Sequence, residues 1–260
     1  MRVTILASGS SGNAVLLQAA ETSVLIDIGL TAKRINGHLK THGIGADSLA
    51  GVLLTHEHGD HARGLRVFCA NSSIPVFTNP LTADSLKRSG VVANWNLFAS
   101  GAEFQIRDLR VHPFSVPHDA ADPVGFVFRH RESSFAVLTD LGYATKQVVN
   151  CVQGVNALLI ETNHDEGMLQ NDTKRPWPVK QRILSRHGHL SNAAAAEIVA
   201  NVATPQLRYV LLGHMSEDCN CSTLATQSVR SRLDTDGHPQ VEILWANSGE
   251  GECAAVSITI

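Results

Sequence analysis

Cysteine is sparse in this chain and has no framework. The five residues, an odd number, are scattered at positions 69, 151, 219, 221 and 253. No set of disulfides is implied, and free thiols suit a reducing compartment. Cys219-Asn220-Cys221 lacks the two-residue spacer of zinc knuckles and redox motifs, which leaves these thiols inert. A surplus of positive charge is missing too. With 21 Lys and Arg against 24 Asp and Glu, the formal charge of −3 excludes the global basic footprint of a nucleic-acid-binding domain, so any polyanion has to be held by a local patch. Nor does a long apolar run open the chain. MRVTILASGSSGNAVLLQ offers only a few apolar residues before a Gly/Ser turn, too few for a secretory leader or a bilayer span. The expectation is a cytoplasmic protein with no membrane contact. What is present is ordinary: 43% hydrophobic residues and a mean hydropathy of zero over 260 positions, enough to bury a large core without staples.

Short apolar segments separated by turns fill the chain. VTILAS and AVLLQ flank the turn SGSSGN, and SVLIDIG and GVLLTH follow as strands around a helix over 31–43 closed by Gly43. A short helix is expected from Asp60 to about Ala70, then PVFTN as a strand and LTADSLKRSG as a helix. EFQIRDLRVHPFSV, GFVFRH and SFAVLTD read as strands. In the second half ALLIETN is a strand, a long helical stretch runs to His187-Gly188, SNAAAAEIVANV is a helix and RYVLLGH a strand. VEILWANSGE and CAAVSITI close the chain with β segments. No linker or low-complexity run divides the halves, so one α/β domain over 1–260 is expected, with sheets covered by helices.

The informative feature is what stands at the ends of the apolar strands. Asp27 ends VLID, His56 ends VLLTH, His118 ends FSVPH, Asp140 ends AVLTD and His214 ends VLLGH. Strand ends along one edge of a sheet converge, and open α/β sheets place their sites there. In LLTHEHGDHARGL, His56, His58, Asp60 and His61 crowd into six positions. His56 and His58, two apart in extended chain, project to one side and can grip one ion. Asp60 and His61 follow as the chain turns into a helix, so they point elsewhere and can hold a second. Imidazole and carboxylate suit zinc, manganese or iron, and no thiolate is placed to close a structural zinc site. The competing reading is a polar loop whose histidines are close by chance, but that reading does not account for the other strand ends.

HEHGDH, with Asp27 before it and His118, Asp140 and His214 after it, resembles the metallo-β-lactamase superfamily from LIDIG to LLGHMS. The resemblance implies a four-layer αββα sandwich with two divalent metal ions at one edge. His56, His58 and His118 would bind one ion, Asp60, His61 and His214 the other, and Asp140 would bridge them. Asp27 would orient a ligand without touching metal. Aspartate at the bridging place, where the lactamases carry cysteine, is the mark of hydrolases of phosphodiesters, thioesters and related substrates. GSSGN, ETNHDEGML, PWPVKQRILSRHGHLSN and LGHMSEDCN, in that order, are similar to the YycJ/WalJ branch, whose members are regarded as single-domain nucleases with 5′-exonuclease activity on DNA.

Further residues carry readings of their own. Ser191 reads as the N-cap of a helix whose N–H groups could face an anion. The resemblance places His189 beside the scissile phosphate as anion holder or proton donor, against a bland role in capping or packing. Asn163 and His164 could line the mouth of the site, or Glu161 and His164 could serve as support or caps. Ser11 and Asn13 in the Gly-rich turn could meet a phosphate, although glycine there also suits a tight turn. Lys174, Arg175, Lys180, Arg182 and Arg186 lie in a stretch with no acid among them; they could track a phosphodiester backbone and Trp177 could stack on a base, or they could form a solvated face. Together these point to two-metal hydrolysis of a phosphodiester on nucleic acid, with Asp60 orienting the nucleophile and His189 assisting the leaving group, and the resemblance implies DNA in preference to RNA. A small-molecule hydrolase of the lactamase or thioesterase kind is the alternative. A flavo-diiron-like protein and a non-catalytic binding module are further rivals.

Overall fold

The structure is a computed structural model that describes residues 1–70, 72–246 and 255–260. Its strands are β1 (Arg2–Ala7), β2 (Ala14–Gln18), β3 (Ser23–Ile26), β4 (Gly51–Leu53), β5 (Pro75–Thr78), β6 (Asn94–Leu97), β7 (Phe104–Ile106), β8 (Leu109–Ser115), β9 (Val124–His130), β10 (Ser133–Leu138), β11 (Ala157–Glu161), β12 (Tyr209–Gly213), β13 (Glu242–Trp245) and β14 (Val256–Thr259). The helices are α1 (Ala32–Thr41), α2 (Gly59–Ala62), α3 (Leu65–Phe68), α4 (Pro80–Arg88), α5 (Lys146–Val152), α6 (Glu166–Asn171), α7 (Trp177–Ile183), α8 (Asn192–Val202) and α9 (Ser222–Thr235).

Two seven-stranded sheets result, in the orders β14-β1-β2-β3-β4-β5-β6 and β13-β12-β11-β10-β9-β8-β7. Each begins as an antiparallel meander and turns parallel, at β3-β4 in the first and at β10-β11 in the second. The core explains why the strands read as unbroken apolar runs. Within β2, Val15 and Leu17 enter the layer between the sheets while Ala14 and Leu16 enter the layer beneath α1 and α3. Within β12, Leu211 faces inward while Val210 and Leu212 pack toward α8 and α9. A strand covered on both faces has no polar side to alternate with. The layers are therefore helix, sheet, sheet, helix: an αββα sandwich, as the resemblance implied. No helix among the described residues is long and apolar enough to cross a membrane.

Four parallel strand ends bear on function. Asp27, Asp140 and His214, just beyond β3, β10 and β12, adopt left-handed backbone angles with φ of 59°, 56° and 51°. Such conformations cost about 1–3 kcal/mol each and persist where the surroundings over-determine them. They redirect the chain at the strand end so that the side chain turns into the common edge. Glu161, at the end of β11, joins them there.

Several expectations need correction. The long helix expected up to His187-Gly188 is two short pieces, α6 and α7. Asp172 breaks it by accepting the backbone N–H of Lys174 and Arg175 at 2.9 and 3.2 Å, and Pro176 and Pro178 follow at once. The helix expected from Asp60 to about Ala70 is interrupted at Gly64, whose N–H donates to the Ile28 carbonyl at 2.8 Å; a Cβ at that glycine would lie 2.2 Å from the Leu30 carbonyl oxygen. Helices α5 and α9 and strand β6 stand where the sequence patterns suggest no element. Residues 247–254, in the last two expected β segments, lie outside the described residues.

Candidate metal centre

The centre is assembled from the two sheets, and its geometry starts with Asp27. One of its oxygens accepts the Thr55 N–H at 2.8 Å, both accept the Thr55 hydroxyl at 3.0 and 2.9 Å, and Oδ2 lies 2.7 Å from His61 Nδ1. A carboxylate can only accept, so the Thr55 proton and the His61 Nδ1 proton both point at Asp27. The Thr55 hydroxyl has no second proton to give. Its 3.0 Å contact with His56 Nδ1 therefore makes that nitrogen the donor. His118 Nδ1 donates to the Gly188 carbonyl at 3.1 Å. His214 Nδ1 and His189 Nδ1 both donate to Glu161 Oε1, at 2.9 and 2.6 Å. His56, His61, His118 and His214 thus present Nε2 to the interior from fixed rings, the arrangement that metal-binding histidines use.

Those nitrogens converge in two groups. The ligand atoms of His56, His58 and His118 lie within 4.8 Å of one another, and so do those of Asp60, His61, Asp140 and His214. The first three rings are spaced nearly evenly, at 4.6, 5.2 and 5.2 Å between centroids. Asp140 sits between the groups: Oδ2 is 2.9 Å from His61 Nε2, while Oδ1 is 3.5 Å from His214 Nε2 and 3.9 Å from His118 Nε2. A third overlapping set joins Asp140, Glu161, His189 and His214.

A divalent cation fits this environment. Buried His56 Nε2 has no hydrogen-bond partner, which is costly for a polar atom out of water and suits a lone pair meant for a cation. Burial, helped by His61, lowers the His56 pKa well below the ordinary range. Burial also lowers that of His118. Neutral imidazole is the metal-binding form. Around Asp60, His61, Asp140 and His214 the balance is different. Burial alone would lower the pKa of His61, but Asp140 and Asp27 outweigh it and raise it well above the usual value. His214 is raised likewise by Asp140, Asp60 and Glu161. Burial would raise Asp140 and Asp60, but the neighbouring histidines outweigh it and hold both carboxyls below the usual range. So many carboxylates need positive charge among them, and a bound cation would take the place of the imidazolium protons. The His/Asp groups are positioned to bind metal ions.

Solvent reaches only part of this arrangement. The side chains of Asp60 and His189 are each 22% exposed, against 0–3% for His61, His118, His214 and Asp140. The two groups expected to do chemistry are among those open to the mouth. Asn13 lies under the second group: its amide nitrogen is 3.0 Å from His61 Nε2, and its oxygen accepts the Gly9 N–H at 3.0 Å. Ser11, in the same turn, accepts Arg63 Nη1 at its carbonyl at 3.3 Å.

Four of the residues expected to contact substrate are buried. Asn163 is buried and donates to the His214 carbonyl at 3.1 Å, steadying that residue's backbone. His164 is buried too, its carbonyl taken by the Asn192 N–H at 2.9 Å. Ser191 is the N-cap of α8, but its buried hydroxyl is spent on the Ala194 N–H and on Glu166, at 3.2 and 2.9 Å. Lys180 is buried and donates to the Gln170 carbonyl at 2.8 Å. The basic stretch without acids in sequence finds them in space. Arg182 pairs with Asp119 at 2.5 Å, Lys174 with Asp218, and Arg175 with Asp172 and Asp218 at 2.9 and 3.1 Å. Arg186 lies over the Tyr143 ring at 4.5 Å.

Thr55 is the residue the sequence reading missed, and Glu161, read there as support or a cap, holds two rings at once. Fully buried Glu161 also accepts the N–H groups of Leu141 and Leu190 from its second oxygen, at 3.2 and 3.3 Å. The available signal was positional, since LLIE ends a strand on a carboxylate just as VLID does.

Comparison with known proteins gives consistent results. A family model for the beta-lactamase superfamily domain matches residues 22–215. The chain is 34% identical over 242 residues to Exodeoxyribonuclease YycJ of Bacillus anthracis, spanning 91% of this chain and 90% of that protein. It is 32% identical over 237 residues to Exodeoxyribonuclease WalJ of Streptococcus pneumoniae, spanning 89% and 88%. In fold it is similar to the crystal structure of the metallo-beta-lactamase fold protein YhfI from Bacillus subtilis, with a TM-score of 0.74 at 14% identity over 99% of each chain.

Proposed function

The chain belongs to the metallo-β-lactamase superfamily, and from that membership we propose that it is a dinuclear-metal phosphodiesterase, a 5′-exonuclease acting on DNA. The observation that carries this reading is the convergence of His56, His58 and His118 beside Asp60, His61, Asp140 and His214, in a chain whose full-length relatives bear exodeoxyribonuclease names. His56, His58 and His118 would hold one cation and Asp60, His61 and His214 the other, with Asp140 between them. Zinc or manganese suits the donor set, and iron is possible. Bound there, the ions would acidify a water at neutral pH and neutralise charge on the phosphoryl oxygens.

The remaining work falls to this chain's own side chains. Asp60, ionised and open to the mouth, orients the attacking water. His189 is held by Glu161 through Nδ1, so its Nε2 is free for the leaving oxygen. Burial alone would lower the His189 pKa, but Glu161 outweighs it and raises it, which favours the protonated ring that an acid role needs. Asp27 and Glu161 fix ring orientation from behind.

A leaving-group comparison tests the acid role. His189→Ala is expected to slow release of an alkoxide from DNA by about 10²–10⁴-fold, and to slow a p-nitrophenyl phosphodiester far less because nitrophenolate departs without a proton. Equal loss on both substrates removes His189 as the acid. Polarity is read with oligonucleotides labelled at either end; release from the 3′ end first contradicts the 5′ assignment. A small-molecule hydrolase is the second reading, favoured by the pairing of Lys174, Arg175 and Arg182 with acids, which quenches the basic stretch. Nitrocefin and a thioester assayed beside DNA separate the two.

A further inference from the structure

The sequence places the chain's local positive surplus at 174–186, and the fold pairs Lys174, Arg175 and Arg182 there with acids. Positive charge without such partners stands elsewhere, on the outer face of β8 and β9. Toward the metal edge that face is covered: Phe114, Val116 and Val127 pack under Val148 and Val152 of α5. Toward the other end the cover stops, and a cavity of about 560 Å³ opens between α5 and the sheet, with Arg110, His112, Arg129 and Glu103 on one side and Gln147 and Asn150 on the other.

Three features set this groove apart. Arg110 and Arg129 are direct cross-strand partners in the β8–β9 register. Like charges placed opposite each other on one face destabilise a sheet. One ion pair is made with them among the described residues: Glu103 lies 3.5 Å from Arg129, while Arg110 has none, and Asp108, which lines the adjoining cavity with both arginines, is paired with His130 at 3.1 Å. The turns flanking the same hairpin add Arg107 and Arg131, in left-handed conformations with φ of 51° and 52°. Besides the three metal-edge residues, these are the only non-glycine residues with positive φ among the described ones. Asn or Gly would fill such turn positions with less strain. Arg107 is tied to the Glu21 carbonyl at 3.1 Å.

We propose that this groove is a second contact for nucleic acid, in which Arg110 and Arg129 hold consecutive phosphates of a strand whose end lies at the metal edge. The inference rests on the nuclease reading. An open channel with arginines spaced along its rim matches an extended polyanion better than a compact one. Arg110 stands five residues before the end of β8, about 17 Å of extended chain from it. A strand spanning both places needs several phosphates. The groove therefore discriminates by length: a long oligonucleotide feels it and a very short one does not.

The test measures binding separately from turnover. Fluorescence anisotropy in the presence of chelator compares a labelled single-stranded 20-mer with a 3-mer on the wild-type protein and on the Arg110→Ala/Arg129→Ala double variant. Loss of two phosphate contacts is expected to weaken the 20-mer about tenfold or more at moderate salt. It should also reduce the slope of log K against log salt by about 1.4. Binding of the 3-mer and hydrolysis of a p-nitrophenyl phosphodiester by metal-loaded protein stay at the wild-type level, and the Arg110→Lys/Arg129→Lys variant recovers most of the slope. Both arginines are on the surface, and a thermal midpoint at or slightly above the wild-type value verifies the fold. Wild-type affinity and slope for the 20-mer in the alanine variant overturn the proposal. So does a nucleoside monophosphate that needs the two arginines while the 20-mer does not, because the groove is then a nucleotide pocket. Failure of the nuclease reading looks different: loaded wild-type protein binds the 20-mer and cuts no DNA from either end.

Discussion

The two halves of the molecule build the same edge in different ways. The first sheet supplies four side chains of the candidate centre from one loop, His56 to His61, and backs them with a single carboxylate, Asp27, at the end of β3. The second supplies them singly, His118, Asp140 and His214 each from its own strand end, and backs them with Glu161 at the end of β11. Asp27 orients one ring directly, His61, whereas Glu161 orients two, His189 and His214. The first half concentrates its ligands in a short stretch and isolates their support. The second half spreads its candidate ligands and holds both His189 and His214 from one buried residue. Damage to the second carboxylate should therefore spread further than damage to the first.

The largest effects should show no asymmetry at all. His61→Ala and Asp140→Ala each remove a side chain from the shared group, and both are expected to take turnover to background while circular dichroism stays native. Activity in either variant with normal metal content breaks the account of both halves. The carboxylates come next. Asp27→Asn is expected to cost about 10–100-fold in metal affinity or activity with an unaltered pH profile. Glu161→Gln should cost at least as much and also move the limb of the pH–rate profile that reports His189. Identical profiles for the two variants would erase the distinction.

A pH effect on the metal-free protein sharpens the same comparison. Burial would raise the Glu161 carboxyl, but His189 and His214 outweigh it and bring it down from 4.5 to about 2. A depressed folded pKa contributes stability that is whole above the unfolded value and is lost as pH falls through the folded one. Urea melts in chelator should thus show wild-type stability falling as pH drops below about 4.5 toward 2, and Glu161→Gln should flatten that part of the curve. The smallest effect lies away from the edge. Arg110→Thr relieves a like-charge cross-strand pair and is expected to stabilise the free protein by about 0.2–1 kcal/mol, read as a shift in denaturant midpoint.

The same contrast explains what could be read in the chain. HEHGDH was legible because six adjacent residues carry a spacing that extended backbone translates directly into direction. The strand ends at Asp27, His118, Asp140 and His214 were legible because strands buried on both faces are apolar runs, against which a polar terminus stands out. Glu161 obeys the same rule but is followed by Thr162, Asn163 and His164, three more polar residues that dilute the signal. The burial of four expected substrate contacts has a common cause. Asn163, His164, Ser191 and Lys180 are of types that bind ligands when exposed, and burial among backbone groups is a tertiary outcome that spacing does not encode. The acids that quench Arg182 and Lys174 come from Asp119 and Asp218, 63 and 44 residues away, beyond any local window. Helix α9 was obscured because its buried face is thin: Ala225, Val229 and Leu233 amid polar residues.

Metal stoichiometry tests the central claim most directly. Elemental analysis of purified protein, coupled to the nuclease assay, is expected to give two divalent ions per chain. His58→Ala should lose one and His214→Ala the other, and full chelation should remove activity while the fold remains. A single ion per chain in the wild type, or undiminished nuclease activity in the folded, metal-stripped protein, would contradict it.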